Sequence, residues 1–223
     1  MNHKDMITCP KCGEKQEWVI WDTINTEREP EMKDKVRSGE VIRFQCAHCG
    51  TKSLLNYSFL YEDMDLHHMI YLCVDDTSEE GMRGAFSNLI SQQEKRRETM
   101  GKREDDFTCR IVHSYNELME KLFIAEAGFD DRIVEIIKSA LWKQVEKDHK
   151  ELEIDEILFT TTSEDRTPGL LFRSQGAMVT SMVFDQPLYE AIKENALSTI
   201  QSLSAHDFVI DRAWAEDMVE KLG

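Results

Sequence analysis

The chain has 223 residues and carries 27 Lys and Arg against 43 Asp and Glu, a formal charge of −16. A body this negative repels a phosphate backbone, which argues against a general nucleic-acid binder. No apolar run approaches the ~20 residues that a bilayer-spanning helix needs. No basic-then-apolar leader opens the chain either, so the expectation is a cytoplasmic protein without membrane association.

The charge is uneven: residues 1–60 hold nine basic and nine acidic side chains, and residues 61–223 hold 18 and 34. Met1 to Thr8 reads as a polar lead into Cys9-Pro10-Lys11-Cys12-Gly13. After 33 intervening residues the pattern returns as Cys46-Ala47-His48-Cys49-Gly50. One Cys-x-x-Cys is ambiguous between metal and redox use. Two of them, each closed by a glycine suited to a positive φ, suit a single tetrahedral thiolate site. Cys9, Cys12, Cys46 and Cys49 are therefore the expected ligands of one structural Zn²⁺. Cys73 and Cys109 stand alone, a distribution that fits a secreted disulfide framework poorly.

Between and after the two pairs, the pattern alternates strand and turn. Gln16 to Trp21 reads as a strand, Glu31 to Arg37 as a helical turn closed by Ser38-Gly39, and Val41 to Gln45 and Thr51 to Tyr61 as strands. His67 to Val74 is a further strand and hairpin partner. This order predicts a zinc-ribbon-like antiparallel β module with its β extension over residues 1–75. Residues 76–106 read as a charged helical connector. Its basic residues, Lys95-Arg96-Arg97 and Lys102-Arg103, interleave with Glu94, Glu98 and Glu104 as on a solvated helix face.

Residues 107–223 read as an acidic body, making the whole α+β: a ribbon-like module joined to a mixed α/β part. The expected elements are a strand at 107–112, a helix from Tyr115 capped by Ser114 and ended by Gly128, and a helix capped by Asp130 or Asp131. A strand at 154–161 follows, with breaks at Ser163-Glu164-Asp165 and Pro168-Gly169. Two strands joined at Gln175-Gly176, a helix from Asp185 to Leu203 and a short last helix complete the chain.

These motifs resemble the CpXC domain family, a bacterial and archaeal group named for paired Cys-x-x-Cys elements. The resemblance rests on both cysteine pairs, the long insert between them and the strand-rich continuation. It extends to Ile111-Val112-x-Ser-x-Asn-Glu-Leu and Gly128-Phe129-Asp130-Asp131-Arg132-Ile133-Val134-Glu135-Ile136, over roughly 7–145. Pro10 follows the family pattern, whereas Ala47 departs from it at a position that supplies no ligand. The resemblance implies metal binding through the four cysteines. It supplies no catalytic residue, because no activity is established for the family.

Three functions follow in order. The first is a zinc-stabilised interaction or regulatory protein, with another protein as partner and Trp18, Trp21, Tyr57 and Phe59 as either core or binding surface. The second is a nucleic-acid-binding ribbon using Lys11, Lys15, Arg43 and Lys52 or the 95–103 cluster. The third is a metal-dependent or redox enzyme. Against this last reading, the pairs lie between strands rather than at a helix start. His67 and His68 would point to opposite faces of a strand, and Asp105-Asp106 and Asp130-Asp131 read as turns or caps.

Overall fold

The structure is a computed structural model that describes residues 1–100, 106–162 and 165–223. It divides into two units, Met1–Ser114 and Tyr115–Gly223. The first unit opens with β1 (Asn2–Thr8) antiparallel to β2 (Lys15–Trp21), in the register Thr8↔Lys15 to Asn2↔Trp21. The expected polar lead is thus a strand. Its composition conceals it because β1 is exposed along almost its whole length, so the main-chain ladder, rather than apolar alternation, holds it.

β3 (Thr23–Asn25) leaves that hairpin and α1 (Met32–Arg37) follows, burying Met32 and Val36 one turn apart. Gly39, at φ 72°, ends the helix and leads into a 3₁₀ turn at Glu40–Ile42. β4 (Arg43–Gln45) and β5 (Lys52–Leu54) then form a second antiparallel hairpin. The strand expected over 51–61 is two strands. Leu55 N donates to Ile42 O at 2.8 Å and Tyr57 Oη donates to Val41 O at 2.8 Å. Those bonds turn the chain out of one sheet before β6 (Phe59–Asp63) enters another.

That second sheet has the order β3-β6-β7-β8, with β7 at His68–Leu72 and β8 at Thr108–Val112. β6 and β7 are the expected hairpin, but β7 and β8 are parallel. Parallel neighbours require a crossover, which α2 (Asp76–Met100) supplies. Among the described residues, Phe86 and Gln93 are its buried positions. Gln93 grips the approach to β8 at both ends of its amide: Nε2 donates to Phe107 O at 3.1 Å and Oε1 accepts from Phe107 N at 2.6 Å. β8 therefore pairs within the first unit, and the second unit is Tyr115–Gly223.

The second unit starts with α3 (Tyr115–Glu126) and α4 (Asp131–Asp148), separated by Gly128 at φ 74°. Asp130 caps α4 by accepting from Arg132 N. β9 (Glu156–Thr161), β10 (Pro168–Ser174) and β11 (Ala177–Val183) form an antiparallel sheet of order β11-β10-β9. α5 (Gln186–Leu203), capped by Asp185, and α6 (Arg212–Leu222), capped by Asp211, complete the unit. Ile133, Ile137, Phe159, Leu170, Phe172 and Tyr189 are among its core residues. Phe129 stands 4.5 Å from the Tyr189 ring and 5.7 Å from that of Phe159.

Beside this apolar core lie buried charges. Lys138 Nζ donates to Glu120 at 2.8 Å and to Glu135 at 2.9 Å, while Lys121 pairs with Asp131 at 3.0 Å and donates to Ile210 O at 2.7 Å. Glu120 Oε1 also accepts from Phe159 N of β9 at 2.6 Å. None of the described helices is long and apolar enough to cross a membrane.

Candidate metal centre

Each cysteine pair is the loop of its own hairpin: residues 9–14 join β1 to β2, and residues 46–51 join β4 to β5. The two loops share one hydrogen-bond pattern. Cys9 N donates to Glu14 O and Cys46 N to Thr51 O, both at 2.9 Å. Gly13 N donates to Cys9 O at 3.0 Å, and Gly50 N to Cys46 O at 2.9 Å. Gly13 sits at φ 75° and Gly50 at φ 72°, and a Cβ at either would meet nothing within 4 Å. Glycine is needed there for its left-handed backbone and not for space.

These loops bring the four sulfurs within 4.8 Å of one another. Across the loops, Cys9 Sγ lies 3.7 Å from Cys49 Sγ, and Cys12 Sγ lies 3.7 Å from Cys46 Sγ. A disulfide would need about 2.05 Å. Sulfurs bound at about 2.3 Å to one tetrahedral ion stand about 3.8 Å apart, so the donor set fits such an ion in both kind and spacing. Among the described residues, these cysteines are a group that could share a metal. Cys9 and Cys46 are buried, Cys49 is half-buried and Cys12 is exposed.

The thiols perturb one another. Cys9 is lowered, first by the Cys12 backbone N–H and then by that of Lys11. Cys49 is pulled down to about 6 by the Thr51 hydroxyl and N–H, with the neighbouring sulfurs adding to the effect. Cys12 is pushed up to about 12: the Glu14 N–H favours its thiolate, but burial and the other three sulfurs outweigh it. Thiols this close lose protons stepwise, each thiolate opposing the next, whereas a dication compensates all four.

Packing fixes the loops against each other. Phe44 is fully buried beside Cys9 and Cys46, and Trp18 meets it edge-on with centroids 5.4 Å apart. Gln16 adds a polar clasp: its Nε2 donates to Gln45 O at 3.1 Å and its Oε1 accepts from Ala47 N at 2.8 Å. Sequence reasoning passed over Gln16, although alternation along β2 puts it on the less exposed face with Trp18 and Ile20.

A scan against protein-family models matches the CpXC protein family over residues 7–138, more than half of the chain. The chain belongs to the CpXC family. No curated protein and no solved structure matches it. The family match spans both cysteine loops, the four-stranded sheet, α3 and the first half of α4, and leaves most of β1 outside. It therefore ends inside a helix at Lys138, one of the buried charges. The function of this family is not established.

Most of the other sequence candidates lie outside the two cysteine loops of the CpXC chain. Cys73 and Cys109 are buried, and burial pushes the Cys109 thiol up to about 12, which makes it a core residue. His48 is exposed in the second loop; His67 occupies a turn at φ 51°, and His68 begins β7. Phe59 is core, whereas Trp18 and Trp21 line a cleft of about 520 Å³ with Met32, Lys35, Val41 and Arg43. Arg96 and Arg97 both pair with Asp106, a carboxylate almost wholly buried. Lys102, Arg103, Glu104 and Asp105 lie outside the described residues, as do Ser163 and Glu164.

Proposed function

We propose that Cys9, Cys12, Cys46 and Cys49 hold one structural Zn²⁺ in a zinc-ribbon-like site, and that this CpXC protein is a cytoplasmic interaction or regulatory module. The observation that carries the metal reading is the pair of 3.7 Å sulfur separations in two loops of identical hydrogen bonding. Four thiolates fill a tetrahedron, and a filled tetrahedron offers substrate or water no position. The ion would contribute folding energy to hairpins that have little core of their own. Function would then reside on surfaces that the ion holds in place.

The cleft beside the second loop supports a protein partner. Trp18, Val19, Trp21, Met32 and Val41 give it an apolar lining, and Lys35, Glu40 and Arg43 supply polar groups. Its size suits an inserted side chain or short peptide segment. The nucleic-acid reading has less support, because Arg96 and Arg97 are already engaged by Asp106.

Elemental analysis tests the metal first: about one zinc per chain is expected, and a Cys9→Ser/Cys46→Ser double variant should lose it. Full retention by that variant would overturn the assignment. Affinity capture before and after chelation tests the role. A protein captured only with metal present supports the interaction reading, and nucleic acid released at moderate salt overturns it.

A further inference from the structure

The two 3.7 Å sulfur approaches pair unlike environments. Exposed Cys12 faces buried Cys46, and half-buried Cys49 faces buried Cys9. Cys9 and Cys46 are shielded by packing around Phe44. Each accessible sulfur therefore has a shielded sulfur of the opposite loop as its neighbour. An oxidant meets the accessible member first, and a sulfenic acid formed there condenses with an adjacent thiol. Closing 3.7 Å to the ~2.05 Å of a disulfide takes about 1.6 Å of movement, shared between two side chains.

We propose that the four-cysteine cluster is a redox switch, in which a hydroperoxide replaces the shared ion with two loop-to-loop disulfides, Cys12–Cys46 and Cys9–Cys49. The inference rests on the single-ion reading above. Cys12 Sγ attacks one peroxide oxygen: an S–O bond forms, the O–O bond breaks, and the departing hydroxide takes a proton to become water. Cys46 Sγ then attacks the Cys12 sulfur, forming the S–S bond and expelling a second hydroxide, which also leaves as water. Cys49 and Cys9 repeat the sequence. Together, four thiolates lose four electrons and two molecules of hydrogen peroxide take up four protons to give four waters. The dication leaves without change of charge.

The direction of the links sets the consequence. Disulfides within each loop would leave the two hairpins unjoined. Loop-to-loop disulfides staple β1–β2 to β4–β5 as the ion does, so the oxidised form sheds metal and keeps its hairpins together. The loops also change charge, because a dication with four thiolates carries two negative charges and two disulfides carry none. On the oxidised loops, exposed Lys11, Lys15 and Lys52 are opposed by Glu14 alone.

The experiment treats the zinc-loaded full chain with hydrogen peroxide, follows released metal with a chromophoric chelator, and maps disulfides by tandem mass spectrometry of a non-reduced digest. Cleavage after Lys11 separates Cys9 from Cys12. About one zinc should be released per chain for about two peroxides consumed, with links 12–46 and 9–49 and unchanged far-UV circular dichroism. A dithiol, itself oxidised to a disulfide, should then restore four thiols and zinc uptake. Cys12→Ser separates the pairings: loop-to-loop oxidation leaves Cys9–Cys49, whereas oxidation within loops leaves Cys46–Cys49. If that variant does not fold, the wild-type map decides by itself. Metal and thiols both retained at about tenfold excess peroxide would overturn the proposal. So would links within the loops, or sulfinic acids in place of disulfides. A chain purified without zinc would sink the metal reading alone, since the same links are then mapped on the metal-free thiols.

Discussion

Gln16 on one hairpin donates to Gln45 O and accepts from Ala47 N on the other, bracketing Cys46 with a single amide. No other natural side chain of that length carries both a donor and an acceptor at its tip. Gln16→Glu would set a carboxylate against the Gln45 carbonyl, and Gln16→Ala would leave both backbone groups to water. Either change should weaken metal retention about tenfold or more, as loss of outer-shell support does elsewhere. Competition with a chromophoric chelator measures it, and retention equal to wild type would remove Gln16 from the site.

Gly13 and Gly50 give a matched pair of backbone tests. Alanine at either meets no neighbour, so its cost is that of the left-handed conformation alone, about 1–2 kcal/mol. Similar losses for the two single variants in urea unfolding would confirm that the loops are energetically equivalent. A loss several-fold larger at one would show that the loops are used differently.

The four-cysteine cluster was legible because its members are local in sequence: each loop carries two sulfurs and the glycine that closes it. The fold around it was less legible. β1 has no apolar alternation, and β8 lies beside β7 only because Gln93 and the crossover helix carry it there. The charged residues of α3 and α4 showed no hint of burial, since Lys138 and Glu120 find each other across 18 positions. Helix boundaries fared better where a cap names them, as at Asp130 and Asp185.

Lys138 offers a sharper test of the second unit. Burial alone would pull its ammonium down, but Glu120 and Glu135 hold it above its ordinary value. Lys138→Met leaves those two carboxylates facing each other in the interior, with Lys121 the remaining cation acting on Glu135. The expected cost is about 3–5 kcal/mol near neutral pH. Burial already raises Glu135, so the native variant binds protons more readily than the unfolded chain. Its stability should therefore recover as pH falls from about 8 toward about 5. Urea midpoints at the two values measure this, and a pH-independent deficit would contradict it.

Asp106 behaves in the opposite sense. Burial pushes its carboxyl up, but Arg97 and Arg96 outweigh that and hold it below 3.8. Glu79 is lowered below 4.5, first by the His113 hydrogen bond and then, against a smaller burial effect, by Arg83. A lowered carboxylate contributes stability fully above its unfolded value and loses it as pH falls toward the folded one. Asp106→Asn should thus be less stable than wild type at neutral pH. The gap should close below about pH 4, read from acid-unfolding curves.

The parallel pairing of β7 with β8 also orders events during synthesis. Both cysteine hairpins are finished by Leu54 and consist of near-neighbour contacts, so they can form while later residues are still inside the ribosome. The four-stranded sheet cannot close until Val112 has emerged and α2 has crossed. Until then the nascent chain carries its cysteine loops on an incomplete support, with one flank of β7 bare. Chaperone demand should peak in that interval.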